Sequence, residues 1–287
     1  MTICIAAVCS WRTPEGKPGG AIITASDRMI TRRGATEYEP PQAKVGIIPP
    51  RTIVLMAGDA LIHSEALVKI KEELESNPTE NVGDIAELYG SFVRAFVQRE
   101  NIQAFLSPAG LVPSDLLTGK DSQVAIQLLN QMQDNKPDFE AIVAGVDSAG
   151  QAQIHHVDKR GFVTCHNEVG FVAIGNGADH AESQIMASRY ARWWNYANTA
   201  LMVYSAKKRA EVAPGVGPTT DMVFVCDAGI DAQLPRNMEK IKEIHDGWAK
   251  HENERHDKGV EELVAFMKAA ELADHEARAA SSTKDQT

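Results

Sequence analysis

Apolar residues in the first sixty positions fall into short unbroken runs, TICIAAVCS, GAIITASD, AKVGII and TIVLMAG, set apart by stretches rich in Gly, Pro and charge. Runs of this kind read as strands, here four strands in two hairpins. The period then changes: DALIHSEALVKIKEELE carries apolar residues at helical spacing behind Asp59, a residue type that caps helix N-termini. Helices are predicted over about 59–77 and 83–100, followed by a loop-rich stretch and a third short helix near 121–133. Three strands follow through Gly175, with turn signals at Asp147 to Gly150 and Lys159 to Gly161. Two more helices are expected over about 178–212, and TTDMVFVCD reads as the last core strand. Strand runs alternating with helix pairs suit an α+β fold of two stacked antiparallel sheets with helices on both outer faces.

From Leu234 the composition shifts to KIKEIHDGWAKHENERHDKGVEELVAF and beyond, strongly charged with an intermittent apolar repeat. This predicts a main domain over 1–233 and an extension over 234–287, one or two exposed helices ending in a disordered SSTKDQT. A solvated charged face and a partner-contact surface are both open for it.

Polar residues interrupt the pattern at strand ends, where side chains are exposed to reactants. Thr2 follows Met1 and heads the first strand; if Met1 is trimmed, one residue carries both a hydroxyl nucleophile and an α-amine able to act as a base near neutral pH. On its own, Thr2 is also an ordinary second residue of a reading frame. Asp27 closes the second run, Lys44 opens the third, and Gly58 closes the fourth against the helix start. A nucleophilic threonine needs a cation near its hydroxyl, a carboxylate to hold that cation, and amide donors for an oxyanion. Lys44, Asp27 and Gly58 supply these in that order.

The pattern resembles the catalytic β-type subunits of the proteasome and their divergent bacterial relatives, members of the N-terminal nucleophile hydrolases. Thr2, Asp27, Lys44 and Ala57-Gly58 match that family's site positions, with RTPEGKPGG lengthening the first hairpin. AIVAGVDSAGQAQIHHVDKRGFV resembles the family's central hairpin and VAIGNGADHA its Gly-X-Gly turn, so the likeness spans roughly residues 2–230. Two departures stand out. Asn176 occupies a position where the family commonly has Ser. In EVAPGVGPTTDMVFVCD, Ala213 and Val216 fall where it usually has Asp and Ser, with Thr219 and Thr220 as nearby hydroxyls.

The resemblance implies a four-layer αββα sandwich and a threonine-type amide hydrolase, most directly a peptidase, acting without metal or organic cofactor. It implies Thr2, Asp27, Lys44 and the Gly58 amide as the catalytic set, with Asn176 in support. It further implies a mostly apolar substrate pocket of Ile30, Gln42, Gly46, Met56 and Ala60, a peptide or unfolded-protein substrate, and a homo-oligomer such as a ring. A noncatalytic scaffold subunit and a small-amide hydrolase are the alternatives.

The net charge of −10 argues against nonspecific nucleic-acid binding. No apolar run has the length of a spanning helix and no signal peptide is evident, so a cytoplasmic protein without membrane attachment is expected. Cys4, Cys9, Cys165 and Cys226 lie in strand-like runs without metal-ligand spacing and read as buried thiols; Cys4 as an alternative nucleophile would require loss of three residues. His155-His156 on a strand point to opposite faces. HENERH sets its two His five apart, where a helical zinc signature needs four. Trp193, Trp194, Tyr190 and Tyr196 read as an aromatic cluster on a helix, suited to a core or an interface.

Overall fold

The first two strand-like runs become a long hairpin. Strand β1 (Cys4–Arg12) pairs antiparallel with β2 (Pro18–Ser26), from Cys4 opposite Ser26 to Arg12 opposite Pro18. The computed structural model describes residues 2–12, 16–32, 36–39, 44–118, 123–135, 137–231 and 235–284. A short second hairpin, β3 (Ile30–Arg32) with β4 (Thr36–Tyr38), follows Asp27, and β5 (Val45–Ile48) pairs with β6 (Thr52–Gly58).

Helix α1 (Ala60–Ser76) starts where expected, with Asp59 accepting from the Leu61 amide at 2.8 Å. Asn81 caps α2 (Val82–Asn101) in the same way. The stretch read as loop-rich is more helical than its composition suggests: α2 runs on into a wide helical turn at Ile102–Leu106, and α3 (Pro113–Thr118) precedes α4 (Gln123–Asp134). Pro113 opens α3, where its fixed φ and missing N–H cost nothing.

The expected trio of strands is four. After β7 (Phe139–Val146) and β8 (Ala152–Val157), the third run splits into β9 (Val163–Cys165) and β10 (Phe171–Ile174) at a turn in which the Gly170 amide donates to His166 O at 2.8 Å. That turn carries the chain from one sheet to the other: β9 pairs with β8, whereas β10 pairs with β1. Cys165, at the break, is exposed rather than buried.

Helices α5 (Ala178–Ala187) and α6 (Tyr196–Ala210) lead to β11 (Asp221–Cys226) and a short β12 (Gly229–Asp231). Residues 188–195 form a loop, so Tyr190, Trp193 and Trp194 sit on no helix. Asn195 is the N-cap of α6, Tyr190 OH donates to Val8 O and Gly170 O, and Trp193 is exposed.

One sheet runs β10-β1-β2-β11-β12 and the other β5-β6-β7-β8-β9. Between them lie Cys4, Ala6, Ile22, Leu55, Ile142, Ala144, Ile154 and Ile174. The outer face of the second sheet presents Val54, Phe139 and Val143 to Ile70, Ile85 and Tyr89 of α1 and α2, while α6 lies on β1 and β2. The layers are therefore helix, sheet, sheet, helix. The chain divides into compact units Met1–Met238 and Glu239–Thr287. Helix α7 (Pro235–Lys284) is a single helix running through the Ser281, Ser282 and Thr283 expected to be disordered; 285–287 lie outside the described residues. Among the described residues no helix is long and apolar enough to cross a membrane.

Candidate active site

Thr2 and Asp27 meet because the first hairpin zips one pair past its strands. The Asp27 amide donates to Ile3 O at 3.2 Å, which places the Asp27 side chain beside the residue that precedes Ile3. Thr2 is 2% exposed and Asp27 fully buried. The Thr2 hydroxyl donates to Asp27 Oδ1, and Lys44 Nζ donates to Thr2 Oγ1 at 2.6 Å, to Asp27 Oδ1 at 3.1 Å and to Met29 O. A buried carboxylate is costly unless its lone pairs are occupied. Besides Thr2 and Lys44, Asp27 accepts from Ile3 N at 3.2 Å on Oδ1, and from Met29 N at 3.2 Å and Gly217 N at 2.9 Å on Oδ2. Thr2 and Asp27 belong to the first sheet, whereas Lys44 and Gly58 stand at the ends of β5 and β6 in the second.

Gly58 lies opposite Phe139, and the next pair is joined by Asp59 N donating to Asp138 O at 2.8 Å. Antiparallel ladders alternate, so the Gly58 N–H faces away from β7, and Gly58 borders the cavity that holds Thr2. Its φ of +99° requires glycine. On the other side of Thr2, the β1–β10 register continued by two residues sets Asn176 opposite it. The Gly177 amide donates to Thr2 O at 3.4 Å, and a Cβ on Gly175 would stand 2.4 Å from that oxygen. The Gly-Asn-Gly turn thus closes on the Thr2 main chain.

Behind Gly58, His63 is buried and stacked on Phe139 at 4.2 Å. Its Nε2 faces Ala57 O at 3.2 Å, an acceptor, so Nε2 carries the hydrogen and Nδ1 accepts from Tyr89 OH at 2.7 Å. Burial pushes its pKa down to about 4, opposed by the Ala57 hydrogen bond and the Asp59 charge. Between its ordinary value of 6.5 and about 4, the unfolded chain binds a proton there that the folded chain does not. Stability is therefore complete above the upper value and falls by about 3 kcal/mol as pH drops through the window. Denaturant titrations at pH 7 and pH 4.5 are expected to show this loss, and H63Q to reduce it. His155 and His156, also pushed down by burial, add in the same direction in both proteins.

Cys4 is fully buried between the sheets, and burial pushes its thiol up to about 12, so it stays protonated and unreactive. The cavity at Thr2 has a volume of about 150 Å³ and is lined by Thr2, Ala57, Gly58, Asp138, Glu140, Lys159, Gly175 and Asn176. The structure thus brings together Thr2, Asp27, Lys44, Gly58 and Asn176. Of the expected pocket residues, Gly46 touches Leu67 of α1, Met56 is half-buried in the layer shared with that helix, and Ala60 is exposed in its first turn. Ile30 opens β3, and Gln42 lies outside the described residues.

Charged residues that sequence reasoning missed stand at the cavity: Lys159 pairs with Asp138 at 3.5 Å, and Glu140 lies 3.9 Å from His156. Thr219 is bound to Glu39 through both its amide and its hydroxyl, and Arg28 makes a two-pronged pair with Asp221. Among the described residues no group of three or more His, Cys, Asp or Glu could hold a metal ion.

No protein-family model and no curated protein sequence matches the chain. Among solved structures, the chain is similar to Anbu from Hyphomicrobium sp. strain MC1, solved as a Gly-1 mutant. The TM-score is 0.58 at 16% identity, covering 90% of this chain and 97% of that one. Anbu is a bacterial proteasome-like protein, and the αββα arrangement found here is its fold.

Proposed function

We propose that this proteasome-like chain is a threonine-type amide hydrolase, most directly a peptidase, whose nucleophile is Thr2 once Met1 has been removed. One observation carries the proposal: the Thr2 hydroxyl donates to a buried carboxylate while accepting from Lys44 Nζ at 2.6 Å, beside a cavity bordered by Gly58. In the proposed reaction Thr2 Oγ1 attacks the amide carbon. The hydroxyl proton passes to the α-amine, directly or through water, and then to the departing amine, leaving an ester on Thr2 that water hydrolyses. Lys44 stabilises the developing alkoxide, Asp27 fixes Lys44, and the Gly58 amide faces the oxyanion. Intact-protein mass spectrometry with an electrophile selective for N-terminal threonine tests this. Loss of Met1 with a single adduct on Thr2 supports it; a trimmed protein that stays unlabelled rejects it. We place the enzyme in a cytoplasmic homo-oligomer acting on peptides or unfolded protein.

An apolar residue before the cleaved amide suits the Gly46, Met56 and Ala60 side, but the cavity at Thr2 adds a charge condition. Lys159 offsets Asp138, whereas burial pushes the His156 pKa down, so at neutral pH no cation offsets Glu140 from that side. Peptides that place an acidic side chain there are expected to turn over about tenfold more slowly than their amide isosteres. Initial rates for matched Glu and Gln peptides check this, and E140Q should narrow the ratio. A small-amide substrate has its own supporting observation, since about 150 Å³ is below the usual size of a ligand pocket. Faster turnover of small acyl amides than of peptides would favour it.

A further inference from the structure

Helix α6 presents Thr199, Val203, Ala206 and Ala210 to the core, and Lys207 belongs to the same stripe with no exposed surface. Burial pushes its ammonium pKa down, opposed by Glu211. An ammonium is retained in such a place only when its donors are used. Lys207 Nζ donates to Glu211 Oε1 at 2.6 Å and to Gly217 O at 2.7 Å. Gly217 is the residue whose N–H reaches Asp27 Oδ2 at 2.9 Å. The strap around it has little freedom: a Cβ on Gly217 would stand 1.9 Å from Glu39 Oε1, and Glu39 also holds Thr219. Ala213 and Val216, on the same strap, have no polar side-chain atom to offer Asp27. The charged groups facing Lys207 are Glu211 and Lys208 on its own helix and Asp27 across from it.

We infer that Lys207 is a positioning residue for the Thr2 site. Its ammonium pins the Gly217 carbonyl so that the Gly217 N–H stays on Asp27 Oδ2, leaving Oδ1 to Thr2 and Lys44, and it places a second buried positive charge behind Asp27. The inference rests on Thr2 being the nucleophile, and the test separates the two. The rate at which a threonine-selective electrophile labels Thr2 is followed against pH in the full chain, alongside Tm, for wild type, K207M and K207R.

K207M should still fold, with a lowered Tm, because the buried Gly217 carbonyl loses its donor while Glu211 retains Lys208 at 2.7 Å. Its labelling should nevertheless slow about tenfold, the equivalent of one well-made hydrogen bond to a charged group, with the midpoint of the profile moved to higher pH. K207R should recover part of both effects. Wild-type rate and midpoint in K207M would overturn the inference while leaving Thr2 as nucleophile. Absence of labelling in trimmed wild type would overturn both. If K207M does not fold, K207Q, neutral and still a donor, gives the same reading: a raised midpoint supports the role and an unchanged midpoint overturns it.

Discussion

Replacing Thr2 with Ala is expected to lower turnover by a factor on the order of 10⁴ to 10⁶, because among the described residues no other hydroxyl or thiol lines the cavity. Cys4, two residues on, is sealed between the sheets with its thiol pushed up to about 12. Folding should change little. Lys44 keeps Asp27 and Met29 O, and Asp27 keeps the amides of Ile3, Met29 and Gly217. Loss of one hydroxyl then costs about 1 to 2 kcal/mol. Circular dichroism and Tm close to wild type, with turnover absent, is the expected pair of results. T2S, which keeps hydroxyl and amine, should retain measurable turnover, whereas full turnover by T2A would remove Thr2 from the reaction.

The second large effect is expected at Gly58. A side chain there meets main chain and cannot be accommodated by rotation: its Cβ would lie 2.0 Å from Asp138 O, 2.5 Å from Asp138 C and 2.9 Å from Phe139 N. The φ of +99° adds strain for any L-residue. Strands β6 and β7 must part to admit it, so G58A should destabilise the chain by about 3 to 5 kcal/mol. In whatever fraction folds, the displaced amide should slow turnover about 10² to 10³-fold. Gly46 supplies the control. Its Cβ would press on the Leu67 methyls at 2.7 and 2.9 Å, atoms that can move, so G46A should cost about 1 to 2 kcal/mol. Denaturant midpoints of the two variants measure the contrast; equal destabilisation would show that the β6–β7 contact yields as easily as a side chain.

The strand ends that carry Thr2, Asp27, Lys44 and Gly58 were legible because each lies where an apolar run stops, and stopping points follow directly from hydrophobic pattern. The capped start of α1 was legible for the same reason. What escaped depended on tertiary placement. The segment through Gly175 is predicted as one strand, yet its two halves, Val163–Cys165 and Phe171–Ile174, serve different sheets; the polar His166-Asn167-Glu168 ahead of Gly170 was the available signal of the break. Lys207 sits in the run Lys207-Lys208-Arg209, which looks like ordinary positive charge at a helix C-terminus. Its spacing of four from Val203 and three from Ala210 was the available signal that it turns inward. Asp138, Glu140 and Lys159 lie far from Thr2 in sequence; the β6–β7 pairing brings Asp138 and Glu140 beside Ala57 and Gly58, and the β7–β8 pairing adds Lys159.

Because Thr2, the proposed nucleophile, and Asp27 ride on one sheet while Lys44 and Gly58 ride on the other, the layer of Cys4, Leu55, Ile142 and Ile174 acts as a spacer gauge for the proposed chemistry. Its thickness sets how far Thr2 stands from Lys44 and Gly58. Trimming a methylene from this layer should detune the reactive geometry as well as loosen the fold, whereas the same change between α1 and α2 should spend itself on stability alone. Side-chain volume in the middle of the sandwich is in that sense a setting of the candidate site, made by residues outside the lining of its cavity.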